Sequence, residues 1–390
     1  VSRLVRRQAQ GIVPTGIDRV GLAYLQRFAD RSQAVVHQGR FTGYLGQAES
    51  QRLFKHLLQP ASAPAAARWQ GRLHWARFPL WAWRSGSPSP RGLLLHTAHS
   101  DLDDEAYVLS WQRHGVRPVV MVHDLIPLTH PAFCRAGEAA RHARRMRHTL
   151  MVAAGIVVNS QDTLEALRRF AHGQSLPMPP AVVAPLGTRA LPEPASLPPG
   201  VLPPARPVFL MLGTIEPRKN HLLMLDVWRK LIAQHGETAP RLVIAGRRGW
   251  DIEPVTRLLD GDETLWGHVT ERGGCTDTEL ADWMRQARAL LQPSWTEGFG
   301  MPVAEALQQG LPVIASDLPV FREVAGEVPD YAPPDDAEAW LNLIQAHSQA
   351  DGAVQLAQRA RIAHYTAPTW EAHFAIVEHF MQGLRRHGPH

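Results

Sequence analysis

Short apolar runs recur along the chain, each bounded by turn residues and separated from the next by an amphipathic segment. They are AVVHQ (34–38), LLLHT (93–97), VVMVHDL (119–125), GIVVNS (155–160), VFLMLGT (208–214), RLVIAG (241–246), ARALLQPS (287–294) and LPVIAS (311–316). A run that is apolar at nearly every position suits a strand buried on both faces, and the helical segments between runs suit crossover connections. The rhythm is therefore that of parallel α/β sheets. Residues 188–207, TRALPEPASLPPGVLPPARP, interrupt it, because their prolines favour an extended linker and exclude a regular element.

The expected organisation is two Rossmann-like, doubly wound parallel-sheet domains: residues 1–187, a proline-rich linker at 188–206, and residues 207–367. Residues 368–390 should form a terminal amphipathic helix, with Trp370, Phe374, Val377 and Phe380 at helical spacing. Cys134 and Cys275 have no partner at metal-ligand spacing, which suits a reducing compartment and argues against structural zinc. The opening VSRLVRRQAQG lacks a signal-peptide core and no run approaches the ~20 apolar residues of a membrane span, so a cytoplasmic location is expected.

Charge is unevenly spread. Residues 1–200 carry 24 Lys and Arg against 12 Asp and Glu, whereas residues 201–390 carry 17 against 24. The basic half suits an acidic substrate or an anionic membrane surface. No nucleic-acid-binding motif accompanies it, so nucleic acid is not an expected partner.

The chemistry concentrates in SWTEGFGMPVAEALQQG, residues 294–310, where Glu297 and Glu305 flank a Gly-Phe-Gly turn between a strand and a helix. Gly298 and Gly300 allow a ligand close to the main chain, and the helix N-terminus attracts phosphate. A carboxylate accepts from two neighbouring hydroxyls, so Glu297 suits a sugar and Glu305 a ribose. Two simpler readings compete: a dipole-stabilising acid at Glu305, and a dinucleotide-binding G-x-G-x-x-G. The second fails at Val303, where that motif needs a small residue.

At MLGTIEPRKNH, Gly213 ends a strand and Arg218 and Lys219 follow at the sheet edge where ligands bind. The chain has only three lysines, Lys55, Lys219 and Lys230, and otherwise uses arginine for positive charge. Lys219 beside Arg218 suits a diphosphate leaving group. In the first half, TGIDRV places Gly16 and Arg19 at a helix start, where Thr15 and Asp18 have capping-box spacing. His123 and Asp124 end another strand. Arg141, Arg144, Arg145 and Arg147 share one helix, which is either a solvated face or, with Trp69, Trp75, Trp81 and Trp83, a surface for acceptor or lipid headgroups. Asp101, Asp103 and Asp104 are expected to be a solvated acidic loop.

Taken together, TGIDR, VHD, GTIEPRKN and E-G-F-G-x-x-x-x-E resemble the retaining glycosyltransferases of family 4, of GT-B fold, over nearly the whole chain. The resemblance implies two domains facing across a cleft, with the terminal helix crossing back to the first. It implies donor diphosphate at Arg218 and Lys219, donor sugar at Glu297 with the Phe299 and Gly300 backbone, ribose at Glu305, phosphates near Gly16 and donor sugar or acceptor at His123. It further implies a metal-independent reaction without a cofactor, in which the nucleotide sugar is substrate. The TGIDRV and HDLIPLTHP wording resembles bacterial enzymes of exopolysaccharide or O-antigen assembly. GDP-mannose is then the favoured donor and a polyprenyl-diphosphate-linked oligosaccharide at the inner face of the plasma membrane the favoured acceptor. UDP-sugar or dTDP-rhamnose donors, an epimerase of the same fold and an inert sugar-nucleotide-binding subunit are the alternatives.

Overall fold

The apolar runs form strands, and what differs between them is their neighbours. The computed structural model describes residues 1–12, 14, 16–39, 41–59, 92–189, 191–192 and 206–386. Trp69, Trp75, Trp81, Trp83, Thr15 and most of the proline-rich stretch lie outside them. Two compact units result. The first comprises Val1–Leu128, Ala139–Ala184 and His373–His390, and the second Thr129–Glu138 and Pro185–Ala372.

In the first unit, β1 (Val35–Gln38) pairs antiparallel with β2 (Phe41–Tyr44) as a separate hairpin. This corrects the reading of AVVHQ as a parallel strand: the chain turns back at once, and FTGY supplies the partner. The parallel sheet runs in the order β3 (Leu93–His96), β4 (Arg117–Val122), β5 (Gly155–Val158), β6 (Ala181–Val183). From His373 onward the helix Trp370–Arg386 belongs to this unit. Its His373 Nε2 lies 2.9 Å from the Tyr24 hydroxyl, and Arg117 Nη2 donates to Leu384 O at 2.7 Å.

The second unit holds six parallel strands: β7 (Val208–Leu212), β8 (Arg241–Ala245), β9 (Val269–Arg272), β10 (Ala289–Gln292), β11 (Val313–Ser316) and β12 (Asp330–Ala332). Their order is β12-β11-β10-β7-β8-β9. The chain winds outward from β7 to β9, then restarts beside β7 at β10 and winds the other way. That reversal opens a crevice at the C-terminal ends of β7 and β10, the switch point where doubly wound sheets take ligands.

Helices cover both faces, so successive strand residues all need apolar side chains. Phe209, Met211, Leu242, Ile244 and Leu291 pack with Trp228 and Trp340 on one face. Leu210, Val243, Leu290 and Val313 pack with Val303, Leu307 and Phe321 on the other.

Candidate functional site

Four charged side chains converge at the β7/β10 crevice. After β7 the chain turns through Gly213 into a single 3-10 turn, Pro217–Lys219, and then into the helix His221–His235. After β10 it forms the loop 293–300 and the helix Met301–Gln308. The two loops are tied by Trp295 N donating to Arg218 O at 2.8 Å. Glu297 is the hub: Lys219 Nζ lies 2.5 Å from its Oε1 and Arg218 Nη1 2.7 Å from its Oε2. Ser294 Oγ and Gln292 Nε2 also donate to Oε1, at 2.9 and 3.2 Å. Glu216 grips the other end of Arg218, with Oε1 2.6 Å from Nε.

Lys219, Glu216 and Glu297 are all buried, so their charges depend on one another. Burial alone would raise the Glu297 carboxyl, but the Arg218 and Lys219 charges and their hydrogen bonds outweigh it and hold it at about 2. Burial pushes the Glu216 carboxyl up against the pull of Arg218 and Lys219. Burial also lowers the Lys219 ammonium, which Glu297 opposes. The cluster thus brings two cationic groups and two carboxyl groups together largely out of water, where each depends on the others for compensation.

Two glycines make this geometry possible. Gly213 has φ +130°, and a Cβ there would lie 3.3 Å from Lys219 Cε. Gly300, the N-cap of the helix, has φ +90°, and a Cβ there would meet Phe321 Cε1 at 2.6 Å. Phe299 beside it is buried and Gly298 half-buried. Glu305 is not in the helix's first turn, which contains no acid, and is only 2% exposed. A dipole-stabilising surface acid therefore does not describe it. Arg189 Nε lies 3.7 Å from its Oε1.

The remaining candidates belong to the first unit. His123 is buried, and its Nε2 lies 2.9 Å from Thr97 O; a carbonyl only accepts, so Nε2 carries the proton. Its backbone N–H donates to His99 Nε2 at 3.0 Å. Burial lowers the pKa of both imidazoles. Asp124 Oδ1 accepts from Ile126 N at 3.1 Å, which shapes the turn after β4. Gly16 opens the helix Gly16–Phe28, on which Arg19 is half-buried. Asp18 is a buried counterion, with Arg3 Nε and Arg7 Nε both at 2.7 Å. Within the helix Glu138–Val152, Arg144 and Arg147 are exposed, whereas Arg145 pairs with Asp103 at 3.1 Å. Asp103 and Asp104 are thus not merely solvated, since Asp104 also caps the helix Glu105–Arg113. No helix among the described residues is long and apolar enough to cross a membrane.

Residues 206–349, the part of the second unit that holds the four-charge cluster, match the family model described as glycosyl transferases group 1. The chain is 29% identical over 287 residues to the serotype-specific mannosyltransferase WbdA of Escherichia coli, covering 65% of this chain and 34% of that one. It is 32% identical over 162 residues to the O-antigen chain mannosyltransferase B of Escherichia coli, covering 42% of each. Residues 206–349 thus carry the sequence of a group 1 glycosyl transferase. Among solved structures, HepE of Anabaena superposes with a TM-score of 0.66 at 15% identity, over 95% of this chain and 97% of that one. The fold is GT-B. The chain spans about a third of the length of the WbdA proteins it matches.

Sequence reasoning missed Glu216, Gln292 and Ser294 as members of the charge cluster, and Arg189 as a neighbour of Glu305. Gln292 carried a signal, being the one polar residue in the otherwise apolar strand ALLQ. Glu216 lay in plain view within GTIEPRKN, and Arg189 was absorbed into the linker.

Proposed function

We propose that this chain is a retaining glycosyltransferase that moves a hexose from a nucleotide sugar to an oligosaccharide or lipid-diphosphate-linked acceptor in bacterial surface polysaccharide assembly. The names of the mannosyltransferase relatives favour mannose, with GDP-mannose as donor. The observation that carries the reading is the ion-paired cluster of Glu297, Arg218 and Lys219 at the switch point.

Without donor, Glu297 binds both cations. An entering diphosphate competes for them with at least two negative charges, and Arg218 turns its outer guanidinium edge to it while Glu216 keeps Nε. Glu297 then accepts from sugar hydroxyls, with Ser294 and Gln292 still donating to it. Glu305 accepts from the ribose. The bond from the anomeric carbon to the diphosphate oxygen breaks and its electron pair stays on the diphosphate, where Arg218, Lys219 and the neighbouring helix N-termini stabilise the developing charge. The acceptor oxygen bonds to the anomeric carbon on the face the leaving group vacates. Its proton passes to the departing phosphate oxygen, so configuration is retained.

Lys219→Ala and Glu297→Ala should each lower transfer by ~10²-fold or more in a donor-consumption assay, as expected when a partner of transition-state charge is lost. Near-normal turnover in both would refute the proposal. A thermal-shift panel of GDP, UDP, dTDP and ADP sugars identifies the donor, because a ligand that binds only the native state raises its stability. Stabilisation by GDP-mannose alone is the expected result.

A further inference from the structure

Gln292 ends β10 and Ser294 opens the loop beyond it, and both side chains are turned inward. Gln292 is 1% exposed and Ser294 0%, so neither presents itself to a ligand. The main chain of Gln292 is fixed by its parallel pairing with Ala315 of β11. A buried amide and a buried hydroxyl need partners, and these two find them in each other and in Glu297. Gln292 Nε2 lies 3.3 Å from Ser294 Oγ and 3.2 Å from Glu297 Oε1, so its two N–H groups can serve one oxygen each. Ser294 Oγ donates to Glu297 Oε1 at 2.9 Å. A hydroxyl has a single proton. With Gln292 donating to the Ser294 oxygen, that proton is left to point at Glu297.

The two oxygens of Glu297 are therefore held differently. Oε1 meets Ser294, Gln292 and Lys219, whereas Oε2 meets Arg218 Nη1, which also donates to Thr296 O at 3.2 Å. The charged partners, Lys219 and Arg218, are the ones that a diphosphate attracts. The neutral, buried pair stays where it is. Once the cations turn to the diphosphate, Ser294 and Gln292 still grip Oε1 and still favour the ionised carboxylate. Oε2 then has its lone pairs for the ligand.

We propose that Gln292 and Ser294 are positioning residues for the donor sugar: they anchor Oε1 of Glu297 and thereby make Oε2 the oxygen that accepts from the sugar hydroxyls. This rests on the reading of Glu297 as the sugar-binding carboxylate. The rival is a network that only satisfies buried polar groups at the end of β10. It predicts lower stability in the variants and no change in how the sugar is bound.

The test is calorimetric titration of the full chain with GDP-mannose beside GDP and with UDP-glucose beside UDP. The readout is the ratio of the two dissociation constants within a pair, which separates the sugar from the diphosphate. Ser294→Ala and Gln292→Met should each shift that ratio about tenfold against the sugar nucleotide, the factor that ~1.4 kcal/mol represents, with the nucleoside diphosphate bound as in wild type. Ser294→Thr keeps the hydroxyl and should keep the ratio; loss of the ratio there would assign the effect to packing and overturn the Ser294 role. An unchanged ratio in both Ser294→Ala and Gln292→Met overturns the proposal in favour of the rival, whatever the melting temperature does. Equal weakening of both members of a pair also overturns it. Glu297→Ala separates the two layers: if it keeps the wild-type ratio, the sugar-binding reading of Glu297 falls and the positioning roles fall with it. If Glu297→Ala shifts the ratio and the Ser294 and Gln292 variants do not, only the positioning roles fall. A wild type that binds none of the four nucleotides overturns the proposed function and this inference together.

Discussion

Glu297 lies among two cations and two neutral donors, and its carboxyl is held at about 2 although burial alone would raise it. A carboxyl whose folded pKa lies below its unfolded value stabilises the fold above the unfolded value. That stability is lost as pH falls through the folded value. The Glu297 contribution should therefore be complete above about 4.5 and vanish toward about 2. Glu297→Gln lacks it, so the stability gap between wild type and variant in urea unfolding should be widest near neutrality and narrow as pH falls across that window. A gap independent of pH would mean that Lys219 and Arg218 do not hold the carboxylate. Glu216, which burial pushes up, is present in both proteins. At this scale the sequence was legible where a residue stood out against the chain's own habits, as Lys219 does among three lysines and Glu297 does beside Gly-Phe-Gly. It was not legible where a role depends on what the fold brings near: Arg189 reaches Glu305 across more than a hundred residues, and no local pattern records that.

Strands with apolar residues on both faces were readable because burial on both faces leaves little freedom in composition, as in VFLML and RLVIA. The missed strands, FTGY of β2, AVV of β6, VTER of β9 and DYA of β12, each pair on one side only among the described residues, and their mixed or very short sequences reflect that position. Among helices, Met301–Gln308 depends on its N-cap residue, Gly300. Gly300→Ala would place a Cβ at φ +90° and 2.6 Å from Phe321, costing roughly 1–2 kcal/mol from the left-handed backbone and more from the clash. A lower melting temperature together with weakened nucleotide binding is the expected outcome. The arginine-rich helix divides differently. Arg144 and Arg147 are exposed, whereas Arg145 serves Asp103. If this face meets anionic lipid, Arg144→Ala with Arg147→Ala should weaken sedimentation with anionic vesicles and reduce its salt sensitivity. Arg145→Ala should instead lower stability, and unchanged vesicle binding in the double variant would leave a solvated face.

At the scale of the whole molecule, each unit has its own parallel sheet and core, so each opens and closes with its own local free energy. Arg218, Lys219 and Glu305, to which the proposed function gives the nucleotide's diphosphate and ribose, lie in the second unit, within the half of the chain that is acidic overall, while Gly16, which the resemblance puts near the phosphates, lies in the first. On that proposal, recognition of an anion there would depend on local placement at two loop ends and two helix starts, with little help from net charge. It follows that a nucleoside diphosphate without sugar or acceptor should protect one unit selectively. At a concentration of 100 Kd, binding adds ~2.7 kcal/mol to any opening that destroys the site. Hydrogen exchange should slow across residues 208–220 and 289–308, which carry Gly213, Lys219, Glu297 and Glu305. Residues 117–123 and 155–158 of the first unit should exchange as before. Equal slowing in both units would place part of the nucleotide's binding energy in the first, and would require His123, Gly16 or Arg19 to contact the diphosphate directly. Slowing in neither would remove the second-unit cluster from nucleotide binding altogether.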